Sequence, residues 1–210
     1  MSEPDVPHYF NQQPGVPSHR QSIRVQLPDI SFEIETDAGV FSKGRLDAGT
    51  KILLMEAPEL PEGGTFLDLG CGAGPIALAM ALRRPQARVW AVDINERARQ
   101  LTADNAQALK LTNVHVASPD ARQNSESPAE TFDVIWSNPP IKVGKAALHE
   151  LLATWLARLA PDGLAVLVVH KNLGSDSLAS WLTTQGWQVR RIASRQGYRV
   201  LQVMHKPATA

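Results

Sequence analysis

A short polar stretch follows an apolar run in the second half of the chain. Residues 132–136 are apolar at most positions, and residues 137–145 read SNPPIKVGK. Proline has no N–H and a fixed φ, so the two prolines after Asn138 can simply end a strand. They can also hold two acceptors in place, the Asn138 amide oxygen and the Pro139 carbonyl, because a residue before proline is restricted to extended conformations. Two converging acceptors suit an amino group that carries two N–H donors.

A glycine-rich loop provides a second group of candidate residues. Residues 67–74 read LDLGCGAG between an apolar run and an apolar helical pattern, the setting of a nucleotide-binding loop. A dinucleotide fingerprint has Gly or Ala at its sixth position, where this chain has Pro75. Asp68 suits an ammonium better than a pyrophosphate. The loop therefore favours S-adenosylmethionine, which has an ammonium, a carboxylate and a nucleoside. An ordinary strand-to-helix turn is the alternative.

Two aspartates could complete the nucleoside site. Asp93, in WAVDIN, follows the glycines by about 20 residues, the spacing at which a carboxylate binds ribose hydroxyls. It could instead cap the helix that starts near Asn95, but the preceding glycine loop favours ribose binding. Asp120 follows the third strand of the sheet and is a candidate for the adenine amino group, although an Asp after Pro119 is also typical of a turn.

The predicted elements bring these segments together. Alternating strands and helices favour a doubly wound, mostly parallel α/β sheet with helices on both faces. Ligands bind such sheets at the carboxyl ends of the strands, where the glycine loop and Asn138 both fall. An amino group held there can be aligned with a methyl sulfonium, and the acceptor oxygens stabilise the charge that develops on nitrogen. We therefore prefer the acceptor interpretation, in which an aspartate at position 138 would keep an acceptor oxygen.

Hydrophobic periodicity gives the order of the elements. Residues 22–35 alternate on both sides of Pro28 and predict a hairpin. Asp47 is expected to cap a helix that ends near Pro58, and residues 161–163, Pro-Asp-Gly, to close a later helix. The other strands are expected at residues 65–69, 88–92, 113–117, 132–137, 164–170, 188–192 and 199–204, and the other helices at residues 75–84, 95–110, 148–159 and 177–185.

Length and composition indicate one domain. The 210 residues suffice for a single core. Residues 1–20, with four prolines, are expected to form a flexible arm. Residues 21–210 are expected to form one methyltransferase domain, with a hairpin and helix at residues 21–60 and a cofactor-binding core at residues 61–210. No segment has the apolar length of a membrane span or signal peptide, so we expect a cytoplasmic protein, monomeric or homodimeric.

Charge and cysteine content limit the function classes. Lys plus Arg and Asp plus Glu each number 21, so total charge gives no argument for a nucleic-acid partner. The single cysteine, Cys71, excludes a disulfide framework and a cysteine-based metal site, and no metal is expected. Lys145 could meet phosphates or simply be solvated. Four arginines make the last two strands locally basic: Arg190, Arg191, Arg195 and Arg199.

The order of motifs along nearly the whole chain resembles a known family. The segments that carry the resemblance are residues 8–10, 36–42, 68–72, 92–95, 138–141, 144–145 and 197–201. They are similar to those of the "methyltransferase small domain" family, class I S-adenosylmethionine-dependent enzymes whose best-known members methylate the 2-amino group of guanine in ribosomal RNA. The resemblance implies a seven-stranded sheet with the last strand antiparallel. It also implies a target amine held by the Asn-Pro pair, and cofactor contacts by Asp68, Gly70, Gly72 and Asp93.

The chain departs from the family at two points. The bacterial small-subunit rRNA enzymes carry an extra N-terminal domain that helps to bind RNA, which this sequence lacks. Amino methyltransferases often have Tyr or Phe where this chain has Ile141, so stacking on the target would come from another residue. Phe41 is a candidate for stacking on a base or covering the cofactor, although an isolated Phe is more often part of the core.

These patterns predict an S-adenosylmethionine-dependent N-methyltransferase that acts on an exocyclic amino group. The resemblance implies that this group is most readily that of guanine in ribosomal RNA. An RNA or ribosomal subunit is then its partner. The alternatives are N-methylation of a protein amide or small-molecule amine, and a non-catalytic module that binds cofactor or RNA. The expected catalytic residues are Asn138 and Pro139. The expected cofactor-binding residues are Asp68, Gly70, Cys71, Gly72, Gly74, Asp93, Ile94, Asp120 and Asn138. The expected substrate-binding residues are Asn138, Pro140, Ile141, Lys145 and Phe41.

Overall fold

Strands and helices alternate along the chain, as the sequence predicts. The structure is a computed structural model that describes residues 17–40, 44–119 and 131–207. The elements within these residues are β1 (Gln21–Gln26), β2 (Ser31–Thr36), α1 (Ala48–Glu56), β3 (Thr65–Leu69), α2 (Pro75–Arg83), β4 (Arg88–Val92), α3 (Glu96–Ala108), β5 (Val114–Ala117), β6 (Phe132–Ser137), α4 (Lys145–Leu156), β7 (Leu159–His170), α5 (Ser175–Thr184), β8 (Trp187–Arg195) and β9 (Tyr198–His205).

The central sheet has seven strands in the order β5-β4-β3-β6-β7-β9-β8. Strands β3 to β7 pair in parallel, and β9 is antiparallel to both of its neighbours. The expectation of a doubly wound sheet with its last strand antiparallel is therefore confirmed. The strand order reverses between β3 and β6, and the carboxyl ends of these two strands adjoin. Doubly wound sheets bind their ligands at this position.

Helices cover both faces of the sheet. The first core contains buried side chains of α1, α2 and α3, including Leu53, Leu78 and Leu101. The second contains those of α4 and α5, including Leu152 and Leu182. Each fully buried Leu contributes about 1.5–3 kcal/mol, so the two cores hold the sheet from both sides. None of the described helices is long and apolar enough to cross a membrane.

The predicted hairpin forms a small sheet of its own. β1 and β2 pair antiparallel and add buried apolar side chains to the first core. Asn105 of α3 binds the backbone of Glu35 in β2, accepting its N–H at 2.8 Å and donating to its carbonyl at 2.9 Å. Two-stranded sheets are only marginally stable alone, so these contacts with α3 fix the position of the hairpin.

The predicted boundary between α4 and β7 is wrong. The Pro161-Asp162-Gly163 sequence lies inside β7 and does not close a helix; α4 has already ended at Leu156. The β6–β7 register moves from the Phe132–Leu159 pair to the Val134–Leu164 pair, which leaves this segment out of the ladder. Turn-forming residues fit such an irregularity, because residues in it need not supply ladder hydrogen bonds.

Candidate active site

The glycine loop connects β3 to α2 at the carboxyl edge of the sheet. The N–H groups of Gly70 and Cys71 donate to the Val92 carbonyl at 2.8 and 3.1 Å, which ties the loop to the end of β4. Gly74 caps α2, and the helix begins at Pro75. Proline suits this first helical position because its missing N–H would have no partner there. Pro75, the residue that departs from the dinucleotide fingerprint, is therefore also the first residue of a helix.

Helix α3 supports the glycine loop with two buried polar side chains that the sequence analysis missed. Thr102 donates to the Gly72 carbonyl at 2.9 Å, and Asn105 donates to the Ala73 carbonyl at 2.9 Å. Both residues lie on the buried side of the helix with Leu101. Two polar residues at a spacing of three on an apolar helix face are the signal that could have identified them, because such groups need buried partners.

Cys71 is a packed, neutral residue of the loop. It is 4% exposed, and its sulfur lies 3.5 Å from the Thr102 hydroxyl. Burial, followed by the nearby Asp93 and Asp68 carboxyls, raises the pKa of the thiol well above its ordinary value. Because the thiolate is the reactive form, this environment gives Cys71 no nucleophilic role.

Asp93 links the glycine loop to the turn before α3. Its carboxylate is 5% exposed and accepts the Gly72 N–H and the Asn95 N–H, both at 2.9 Å. Burial raises the pKa of this carboxyl, although both bonds oppose the shift. The cap of α3 is Asn95, which accepts the Arg97 N–H at 3.0 Å, so the helix-cap interpretation of Asp93 is wrong. Ribose binding by Asp93 stays a prediction.

Asp68 lies behind the glycine loop and is fully buried. One carboxyl oxygen accepts the Ala77 N–H at 2.9 Å, and the other has no hydrogen-bond partner among the described residues. Burial, together with the charge of Asp93, raises the pKa of Asp68 to about 8, against the effect of the Ala77 bond. A buried acceptor without a partner is costly and is satisfied when a donor or cation approaches. This unpartnered oxygen fits a ligand that carries an ammonium group.

The segment after β6 is fixed at its base and at its proline turn. The buried Ser137 hydroxyl donates to the Leu69 carbonyl at 2.6 Å, which joins the carboxyl ends of β6 and β3. Pro140, with φ −74° and ψ 78°, is the centre of an inverse γ-turn in which the Ile141 N–H donates to the Pro139 carbonyl at 2.9 Å. The Pro139 carbonyl therefore has one acceptor position in use and one left for a ligand.

The Asn138 side chain is bound to the start of α1. Its amide nitrogen donates to the Asp47 carboxylate at 2.7 Å and to the Thr50 hydroxyl at 3.0 Å. The same oxygen of Asp47 accepts the Thr50 N–H at 2.9 Å, so Asp47 also caps α1 as predicted. The amide oxygen of Asn138 accepts no hydrogen bond from the part of the chain that the structure describes. The sequence predicted the cap but not its contact with Asn138.

A cleft of about 420 Å³, open solvent included, is lined by residues of the glycine loop and by Asn138 of the segment after β6. Glycine-loop residues Gly70 and Gly72 line it together with Asp47, Thr50 and Asn138. The structure thus brings together the cofactor loop and the acceptor segment that the sequence analysis paired.

The other predicted site residues have different surroundings. Ile94 is 39% exposed beside Asp93, which leaves it free to contact a ligand. Ile141 is partly buried against the second core, and Lys145 is exposed at the start of α4. Phe41 and Asp120 lie outside the described residues, as do residues 1–16 of the predicted arm. Within the described ranges, no group of three or more His, Cys, Asp or Glu side chains could hold a metal ion.

The four arginines of the last two strands do not form one basic patch. Residues opposite each other in paired strands share a face, and neighbours along a strand alternate. By this register, Arg190 and Arg195 share one face of the sheet with Tyr198, whereas Arg191 shares the other face with Arg199. The irregularity after Arg191 sets this division, which the sequence did not reveal.

Comparison with known proteins agrees with this arrangement. The family described as "Methyltransferase small domain" matches residues 31–202. The uncharacterized protein YbxB of Bacillus subtilis is 34% identical over 197 residues, which cover 93% of this chain and 96% of that protein. The chain belongs to the methyltransferase small domain family. It is therefore an S-adenosylmethionine-dependent methyltransferase.

Two other proteins that this chain resembles are longer. Ribosomal RNA small subunit methyltransferase C of Pseudoalteromonas translucida is 36% identical over 145 residues, which cover 68% of this chain and 40% of that protein. The T. thermophilus 16S rRNA N2 methyltransferase RsmC, solved with AdoMet and guanosine, has a TM-score of 0.75 and 24% identity. The match covers 92% of this chain and 52% of that enzyme. At this identity the structural likeness shows the shared fold.

The cofactor of this small-domain methyltransferase is S-adenosylmethionine, and the site residues fit it. The unpartnered Asp68 oxygen suits the ammonium group, although Asp68 is covered and does not line the cleft. Gly70 and Gly72 line the cleft and have no side chains, so a ligand bound there would contact the backbone. The cofactor contacts expected of Asp68, Gly70, Gly72, Asp93 and Ile94 stay predictions, as do those of Cys71, Gly74, Asn138 and Asp120.

Proposed function

We propose that the chain methylates an exocyclic amino group of guanine in ribosomal RNA. The observation that carries the proposal is the position of the Asn138 amide, which lines the same cleft as the glycine loop. Both N–H groups of this amide are bound at the start of α1, and its oxygen, which accepts no hydrogen bond from the described residues, is the acceptor that we propose for a target amine. The second acceptor position of the Pro139 carbonyl completes the pair.

The chain acts on the target by holding and orienting it. Bound S-adenosylmethionine supplies an electrophilic methyl group. Asn138 and Pro139 accept the two N–H groups of the target amine and direct its nitrogen towards that methyl group. The same oxygens stabilise the positive charge that develops on the nitrogen. Neither oxygen takes up a proton near neutral pH, so the proton that the amine loses passes to water. Pro140, Ile141 and Lys145 follow directly in the chain and are our candidates for contacts with the rest of the substrate, with Phe41 as a further candidate.

The names of the relatives support an RNA target. The Pseudoalteromonas translucida relative is named as a ribosomal RNA small subunit methyltransferase, and the T. thermophilus structure contains guanosine with AdoMet. The chain spans 40% of the first protein and 52% of the second, so it corresponds to one part of each. A ribosomal subunit or its RNA is accordingly our proposed partner.

The distribution of charge supports one alternative target, an amide or amine that is not part of RNA. Arg195 is paired with the Glu56 carboxylate at 3.0 Å, whereas Arg190 donates to the neutral Gln202 amide at 3.0 Å and keeps its charge. Together with the neutral net charge, the Arg195–Glu56 pair leaves a weaker attraction for phosphates than the sequence suggested. An amide or amine of a protein or small molecule has the same N–H donors for Asn138 and Pro139, and is our second candidate target.

The test uses ribosomal material from cells that lack this protein, so that the target position is unmodified. Radiolabelled S-adenosylmethionine is incubated with the full chain and, separately, small subunits, large subunits, free RNA and ribosome-free protein. Digestion of the labelled RNA to nucleosides should yield N2-methylguanosine. Label that remains in the protein fraction would support the second candidate and reject the RNA target. The Asn138→Ala variant is the negative control.

A further inference from the structure

We infer that Asp47 and Thr50 are positioning residues, which orient the Asn138 amide and restrict the site to target groups that donate hydrogen bonds. This inference rests on the proposed function and deepens it, because it specifies which chemical groups the acceptor segment can bind. It gives the start of α1 a role in substrate choice, in addition to its structural role as a capped helix.

The contacts of the amide allow one orientation. Asn138 donates one bond to Asp47 at 2.7 Å and one to Thr50 at 3.0 Å, which uses both of its N–H groups. Rotating the amide by half a turn would place its oxygen against the Asp47 carboxylate, and two acceptors at that distance repel. Thr50 is 4% exposed and Asp47 is fixed as the cap of α1, so neither partner can easily move aside.

The fixed orientation decides what the site recognises. The Asn138 oxygen is turned away from α1, and the Pro139 carbonyl can only accept. A target nitrogen with N–H donors satisfies both oxygens, whereas a carbonyl oxygen or an unprotonated ring nitrogen would meet two acceptors. The Asp47 charge also polarises the amide and strengthens its oxygen as an acceptor. The site should therefore take an amino group and reject a base that has a bare acceptor at the same position.

The structural role of Asp47 can be separated from its positioning role. Serine caps helices about as well as aspartate but is shorter, so Asp47→Ser keeps the cap and loses the contact with Asn138. Thr50→Val keeps the side-chain shape and removes the hydroxyl. Asp176→Ser, at an exposed first-turn position of α5, is the matched control for an exchange of Asp for Ser.

The first experiment measures single-turnover methylation of ribosomal subunits by the full chain, with cofactor affinity and melting temperature for each variant. The Asp47→Ser/Thr50→Val variant should lose about 10²-fold in rate at unchanged cofactor affinity, as expected for a misplaced group. The Asp176→Ser control should keep its rate. A wild-type rate in the Asp47→Ser/Thr50→Val variant overturns the inference.

A second pair of variants tests the orientation directly. Asn138→Asp sets two carboxylates against each other and should lose more than about 10²-fold in rate. In Asp47→Asn/Asn138→Asp, the amide at position 47 can donate to the carboxylate at position 138. This variant should recover at least about tenfold over Asn138→Asp, a coupling that a purely structural role would not produce. No recovery overturns the inference.

A third measurement distinguishes failure of the inference from failure of the proposed function. A wild-type chain that labels no ribosomal fraction rejects the proposed function. In the same protein, nitrogen-15 NMR of the Asn138 side-chain amide still reports its orientation. Slow exchange of both protons with solvent, lost in Asp47→Ser, supports the inference; rapid exchange in the wild type overturns it.

Discussion

The Asp93 carboxylate accepts the N–H of Gly72 at 2.9 Å, which joins the end of β4 to the middle of the glycine loop. The residue that we expect to bind ribose therefore also sets the shape of the loop beneath the cofactor. Cofactor affinity and loop stability are for this reason coupled at Asp93.

Asp93→Ala should lower the free energy of unfolding and also weaken S-adenosylmethionine binding. The substitution leaves the Gly72 and Asn95 N–H groups without their buried acceptor, a loss of about 1–3 kcal/mol. Thermal unfolding and calorimetric titration measure the two effects, with the exposed Glu96→Ala as control. Reduced stability with unchanged affinity would restrict Asp93 to a structural role.

Asn138→Ala should abolish most methyl transfer and leave cofactor affinity near that of the wild type. The glycine loop and Asp93 are unchanged, whereas one preorganised acceptor is lost, which typically costs about 10²–10³-fold in rate. A single-turnover assay and a melting curve on the same variant provide the test. Full rate in a folded Asn138→Ala protein would falsify the acceptor role.

Gly74→Ala should destabilise the chain more than Gly174→Ala. Both glycines are in the left-handed conformation, with φ 87° and 92°, so alanine at either position costs about 1–2 kcal/mol in backbone strain. At Gly74 the added Cβ would also lie 2.8 Å from the Thr102 side chain, whereas at Gly174 the nearest atom is the Ser177 Cβ at 4.0 Å. Denaturant unfolding of both variants gives the difference. Equal losses would mean that Thr102 moves aside without cost.

The free energy of unfolding of the cofactor-free chain should fall as the pH rises from about 4 to about 8. The pKa of Asp68 is about 8 in the folded chain, against 3.8 ordinarily, so the folded state holds a proton that the unfolded state releases in this range. The contribution of Asp68 is fully present below its unfolded pKa and is lost as the pH rises through the folded value.

Denaturant unfolding at several pH values measures this slope, which for one proton is at most about 1.4 kcal/mol per pH unit. Asp68→Asn should remove this part of the slope. The raised pKa of Asp93 acts in the same direction and remains in the variant, so the difference between the two curves isolates Asp68. Parallel curves would show that Asp68 does not titrate in this range.

Much of the fold could be predicted from the sequence, because apolar periodicity is local. The bounds of β3, β4 and β6 agree with the predicted residues 65–69, 88–92 and 132–137. The glycine loop and the Asn-Pro segment were placed at one edge by the rule that parallel strands end together. The largest error is in β7, where a turn sequence lies inside a strand. Smaller errors are at element ends, since α4 begins three residues before the predicted residue 148 and β8 ends three residues after the predicted residue 192.

The partners of the site residues could not be predicted, because they are distant in the sequence. Nothing local shows that Asp47 contacts Asn138, or that Thr102 supports the glycine loop. This contact argues against the expected tolerance of aspartate at position 138, which stays a prediction. From sequence a carboxylate preserves an acceptor; in the structure it would face the Asp47 carboxylate, at 2.7 Å from the present amide nitrogen.

The 91 positions between Asp47 and Asn138 also order events during synthesis of the chain. At about 5–20 residues per second, Asn138 is added roughly 5–18 s after Asp47. By then β3, β4 and β5 have been made, with the glycine loop and Asp93 between them. A nascent chain that ends before Asn138 contains the glycine loop but not the proposed acceptors for a target amine. Under the proposed function, the growing polypeptide therefore cannot methylate ribosomal RNA before Asn138 and Pro139 have been added.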